Sequence, residues 1–267
     1  MLRRIFFILF PLTLFSLHYD PWFGQTWLFY LTPSYTYDHY PDVDNGTRKY
    51  SSDDNLIKGN LNFSFLPQWD IQFEGIFAST QKLSWGMQAI GTSLRYLQCN
   101  DVEGDPVSLT FNGSLFYVPV RSQKDPSTPF HATLNLELGA ALGKEIDKIY
   151  NWRYRFWGYG GIGVANRGAP WARGILALDA RIYTQHLFRL FGHGYFGMGG
   201  VEEVNIDRLR GYANIAHQSV DLGLRYAYEF EIWGNFSVEY FYRVFAHSFP
   251  ECMHSITVAY TLPFSLF

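Results

Sequence analysis

From Phe130 onward apolar and polar residues alternate without a break: Phe130, Ala132, Leu134, Leu136, Leu138, Ala140 and Leu142 interleave with His131, Thr133, Asn135, Glu137 and Gly139. A period of two places successive side chains on opposite faces, so this stretch predicts a strand with one apolar face. The pattern recurs in stretches of about ten residues, the length a tilted strand needs to cross a bilayer. Twelve such stretches are expected. Their apolar parity runs from Trp27 to Tyr37, Ile57 to Phe65, Ile71 to Phe77, Ile90 to Tyr96, Val107 to Tyr117 and Phe130 to Leu142. It continues from Trp152 to Val164, Leu176 to Ile182, a glycine-rich stretch near 192–201, Val220 to Phe230, Phe236 to Val244 and Ile256 to Phe264. Together they predict an all-β protein, a closed antiparallel transmembrane β-barrel of about 12 strands, with 10 as the alternative if neighbouring stretches are misread.

Connection lengths test this reading. Barrels of this kind keep turns short on the periplasmic side and loops long on the other. Long polar loops at 38–54, 119–129 and 202–216 fall on one side if the first strand runs outward, and tight links at Pro67 and Trp233 fall on the other. The connections at Asn100 and Lys144 are longer than the rule asks.

Composition narrows the picture further. The chain has 267 residues, a formal net charge of −3 and 19% aromatic residues, so no basic excess points to nucleic acid as a partner. Rings such as Trp27, Tyr37 and Tyr228 suit the two lipid interfaces. Beyond the N-terminus no run approaches the roughly 18 apolar residues of a spanning helix. Arg3 and Arg4 ahead of the apolar run Ile5 to Leu17 read as an export signal. The expected division is a leader over 1–19 and a barrel over 20–267, with the cut between Ser16 and Trp22. No cofactor and no metal site is expected.

The chain resembles the bacterial outer-membrane β-barrel proteins. The ending Tyr260-Thr-Leu-Pro-Phe264-Ser-Leu-Phe267 carries the C-terminal phenylalanine of that class, and Tyr154-Arg-Phe-Trp-Gly-Tyr-Gly-Gly-Ile-Gly163 looks like its aromatic and glycine strands. The resemblance implies outer-membrane lipid as the surroundings and recognition of Phe267 by the barrel-insertion machinery, although Phe267 is out of phase with Ile256 to Phe264. Gly158, Gly160 and Gly163 also match the dinucleotide fingerprint, but Asn166-Arg-Gly-Ala-Pro170 follows in place of a helix, so these glycines belong to a strand.

Charge on the polar parity describes the interior. Lys58, Arg95, Arg153, Arg155, Arg181, Arg225 and Arg243, with Glu74, Glu137, Asp179, Asp221, Glu229 and Glu239, are expected to line the lumen. Lys or Arg facing lipid at the midplane would cost roughly 2–4 kcal/mol. Trp157, Tyr159, Phe241 and Phe245 fall on the same parity, which favours a narrow or largely filled lumen. A porin-like channel for a small polar solute, or a structural envelope role, fits this interior. A surface adhesion protein acting through its loops is an alternative. A lipid-acting hydrolase is another: His217-Gln218-Ser219 is similar to the base and nucleophile of outer-membrane phospholipase A and the lipid A deacylases, but Val220 stands where those families carry Asn. Acidic residues of the first loop, Asp42, Asp44, Asp53 and Asp54, could serve a rim protease, although such runs are usually solvated. The two cysteines, Cys99 and Cys252, fall at opposite rims and are expected to remain unbonded to each other.

Overall fold

A computed structural model describes residues 18–148 and 152–265. The export signal over Met1 to Leu17 and the terminal Phe267 lie outside the described residues. Six strands form the first half: β1 (Phe29–Tyr40), β3 (Ser52–Leu66), β4 (Trp69–Ser79), β5 (Gly86–Cys99), β6 (Ser108–Tyr117) and β7 (Leu134–Lys148), with a two-residue β2 (Asp42–Val43) in the first loop. The second half holds β8 (Trp152–Ala165), β9 (Trp171–Ile182), β10 (His186–Gly197), β11 (Gln218–Glu229), β12 (Asn235–His247) and β14 (His254–Phe264), with a two-residue β13 (Pro250–Glu251) that pairs with β2. Every long strand pairs antiparallel with its sequence neighbour, and β1 pairs with β14, so twelve strands close a barrel without edges. At that seam Thr32 and Thr36 hydrogen-bond Thr261 and Thr257, and Phe29 stacks between Phe63 and Phe264.

Burial follows the parity of the sequence. On β7 the outward Leu134, Leu136, Leu138 and Leu142 are exposed while Asn135, Glu137 and Ala141 are buried inside. Leucines open to water on every strand would be an aggregation hazard, whereas against acyl chains they lose nothing.

Strand ends depart from the periodicity in four places. Phe130 to Thr133 is not strand: His131 and Ala132 are both buried beneath the outer loops, and β7 instead runs on to Lys148, taking up most of the charged connection. β9 begins at Trp171 and β10 at His186, both earlier than the apolar residues suggest, because Arg173 and Arg189 are inward strand residues. The register of β12 shifts between Val220 and Asp221 of β11, so Phe245 pairs with Val220 and faces outward, 48% exposed. The extra residue of a bulge reverses parity beyond it. The long connection after Asn100 holds a short 3-10 turn, Asp101–Glu103, capped by the Asn100 side chain and ended by Gly104 at φ 114°.

Two devices close the interior. At the end carrying the long loops, Tyr40, Val43, Tyr50, Val204, Ile206, Tyr212, Ile215 and Phe249 pack with Trp171 and Tyr195 into an apolar cap. At the opposite, turn end the chain ahead of β1 enters the lumen. Trp22 Nε1 donates to Asp101 Oδ1 (2.9 Å), Thr110 Oγ1 donates to Pro21 O (2.7 Å) and Arg95 donates to Asp20 O. His18 N donates to Gln72 Oε1 (2.8 Å), and the Tyr19 ring meets Tyr159 at 4.7 Å. Asp20 also lies 3.7 Å from Arg189, the Tyr19 hydroxyl 3.3 Å from Arg173 and the Trp22 ring beneath Arg155, so residues 18–23 are an internal strap spanning the lumen between β4–β6 and β8–β10.

Candidate functional site

Three cavities in series lie beside the strap, the first against β8 to β12 and the other two reaching β1, β3 and β14 as well. The turn-end cavity, about 160 Å³, is lined by Arg153, Arg155, Arg181, Arg189 and Arg225 against Asp20, Asp179 and Glu229. The central one, about 270 Å³, shares His18, Asp20, Arg189 and Arg225 with it and adds Lys58, Glu239, Trp157 and Phe241. The loop-end cavity, about 260 Å³, shares Lys58, Arg173, His193, Asp221 and Phe241 with the central one and reaches Arg243 and Phe249 beneath the cap.

Most of the charge is paired across strands. Arg189 forks onto Asp179 (2.7 and 2.8 Å), Arg243 onto Asp221 (2.6 and 3.1 Å), and Arg181 meets Glu229 at 2.7 Å. Arg155 and Arg153 share Glu145, at 2.6 and 3.4 Å. Glu137, 4% exposed, accepts from Tyr159 Oη and Trp171 Nε1 at 2.9 Å each and lies 3.2 Å from Arg173 Nε. Arg95, 1% exposed, lies 3.7 Å from Asp70 and over the Phe23 ring. Glu74 is buried on β4. Such pairs rigidify a polar interior because losing one partner strands the other.

Arg173 and Arg189 were not legible as lumen residues, since each sits at a strand start that the apolar pattern misses. The strap was not legible either: His18-Tyr-Asp-Pro-Trp-Phe23 has no periodicity. The glycines of β8 do have a structural use. A side chain at Gly163 would run into the Trp171 ring, and one at Gly139 on β7 into the Tyr159 phenol, the two rings that hold Glu137.

Histidines meet at the base of the cap. His217 Nε2 lies 3.1 Å from His131 Nε2, and His131 Nδ1 lies 3.2 Å from Tyr195 Oη. Burial, then Arg173, holds His131 down at about 3, while burial, then His131 and Arg243, holds His217 well below the ordinary value, so both rings are neutral. His217 thus addresses His131, and Ser219 Oγ is buried with no partner among the described residues. No hydrogen bond joins Ser219 to His217, whose Nδ1 also lacks a partner among the described residues. The acidic residues of the first loop are dispersed: Asp42 caps Val43 and Tyr50 N–H groups, Asp53 faces out to His39 and Tyr37, and Asp54 faces in to Ser52. Cys99 and Cys252 are both free.

A closed barrel of twelve antiparallel strands, apolar outside and ion-paired within, is the construction of a bacterial outer-membrane β-barrel protein. Solved structures agree. An outer-membrane channel from Pseudomonas putida F1 matches with a TM-score of 0.60 over 92% of this chain and 98% of its own, at 12% identity. The NanC porin matches at 0.55 over 87% and 98%, with 9% identity. The translocator domain of the autotransporter NalP from Neisseria meningitidis matches at 0.53 over 90% of each chain, with 12% identity. No protein-family model matches the chain, and no curated protein matches it. At these identities the likeness is one of fold.

Proposed function

We propose that this protein is a narrow outer-membrane channel for a small polar solute, exported by its N-terminal leader and inserted by the barrel machinery that reads Phe267. The observation that carries the reading is the row of three charged cavities, which the ion pairs line but do not fill. A lumen meant only to be filled would pack apolar side chains there; instead the salt bridges of Arg153, Arg155, Arg181 and Arg189 leave the turn-end cavity open, with Arg225 also facing it. Conductance of the refolded protein in a planar bilayer tests this. Small discrete steps are expected, larger when residues 18–23 are deleted. Silence of both proteins would leave a structural or adhesive role, which the separately packed loop cap favours.

A further inference from the structure

We infer that the central cavity is a binding site for one small organic carboxylate with a flat apolar body; the inference rests on the channel reading and names its solute class. Arg225 and Arg189 stand directly opposite each other on β11 and β10, both inward. Like charges at such a pair repel, and of the two it is Arg189 that the strap's Asp20 approaches, at 3.7 Å. Arg189 is satisfied by Asp179, but Arg225 has one hydrogen bond among the described residues, to Ser237 Oγ (3.1 Å), and its Nε is buried without an acceptor.

A second donor independently lacks a partner. Trp157, 7% exposed, lines the same cavity with Nε1 buried and unpaired among the described residues, beneath the Arg189 guanidinium at 5.0 Å from its ring. Two buried donors without acceptors cost free energy that an entering carboxylate would return. Lys58 adds a positive charge from β3, and Phe191 and Phe241 supply apolar surface. The volume of about 270 Å³ falls just below the roughly 300–1,000 Å³ of drug-sized sites, which restricts the guest to about one ring. Glu239, opposite Arg225 on β12, is the carboxylate that a guest must outcompete.

Titration calorimetry of the refolded full barrel with benzoate, against benzamide and benzylammonium, tests the site in low-chloride buffer. Benzoate is expected to bind and the other two to bind at least about tenfold more weakly. Arg225→Gln should weaken benzoate at least about tenfold, while Glu239→Gln should tighten it, and gel mobility before and after boiling confirms that each variant is folded. Equal affinity for benzoate and benzamide, or no binding by wild-type barrel, overturns the site whatever the conductance. Benzoate binding by a barrel that does not conduct would instead sustain the site and remove the channel.

Discussion

Glu137 shows how much one inward residue can hold. Its carboxylate gathers a phenol, an indole and a guanidinium, all from β8 and β9, so it ties three neighbouring strands together from inside. Glu137→Ala would take from the half-buried Arg173 its salt-bridge carboxylate and is expected to cost about 3 kcal/mol, read as a lower urea midpoint of the refolded barrel; Glu137→Gln, which keeps an acceptor, should lose less. The adjacent Leu136 faces the other way. Leu136→Arg is expected to cost roughly 2–4 kcal/mol by meeting lipid, and rescue by a thinner bilayer would separate it from Glu137→Ala, which bilayer thickness should not rescue. That these neighbours face opposite ways was plain from alternation alone. What Glu137 binds was not, since Trp171 and Arg173 lie in a stretch whose apolar signal starts only later, at Leu176.

Among the elements, the twelve long strands were legible because each repeats a two-residue period several times, and errors gathered where the period is short or interrupted. At Phe130 the alternation continues into a bend, since apolar residues under a loop cap need burial as much as a strand does. At Phe245 one extra residue reversed the faces. The loop between β6 and β7 carries its own switch. Asp125 is fully buried there, accepting from Thr80 and from Ser127 N–H (3.0 Å). Burial pushes its carboxyl up, with the Thr80 and Ser127 hydrogen bonds opposing. A raised carboxyl binds its proton more tightly when docked, so docking is firmest in acid and weakens as pH rises through the raised value. Proteolysis within 118–133 should accelerate in wild type as pH rises above the ordinary aspartate value of about 4. Asp125→Asn should flatten that dependence, and an unchanged slope would show that another group governs the loop.

For the whole molecule, the cysteines report the direction of the barrel. Cys252 lies exposed in the link before β14, among the long loops, and Cys99 ends β5 near the turns. An impermeant maleimide on intact cells should label Cys252 and spare Cys99; the reverse would invert the topology. The strap has a consequence for how the barrel keeps its cross-section. It enters at Trp22, beside the turns, reaches Tyr19 against Tyr159 of β8 and Arg173 of β9, and at His18 lines both the turn-end and the central cavity. Asp20 O accepts from Arg95 of β5 and the Asp20 carboxylate lies 3.7 Å from Arg189 of β10, so the strap is a strut between facing walls, and a barrel without residues 18–23 is expected to unfold at a lower temperature, read by gel mobility after stepwise heating.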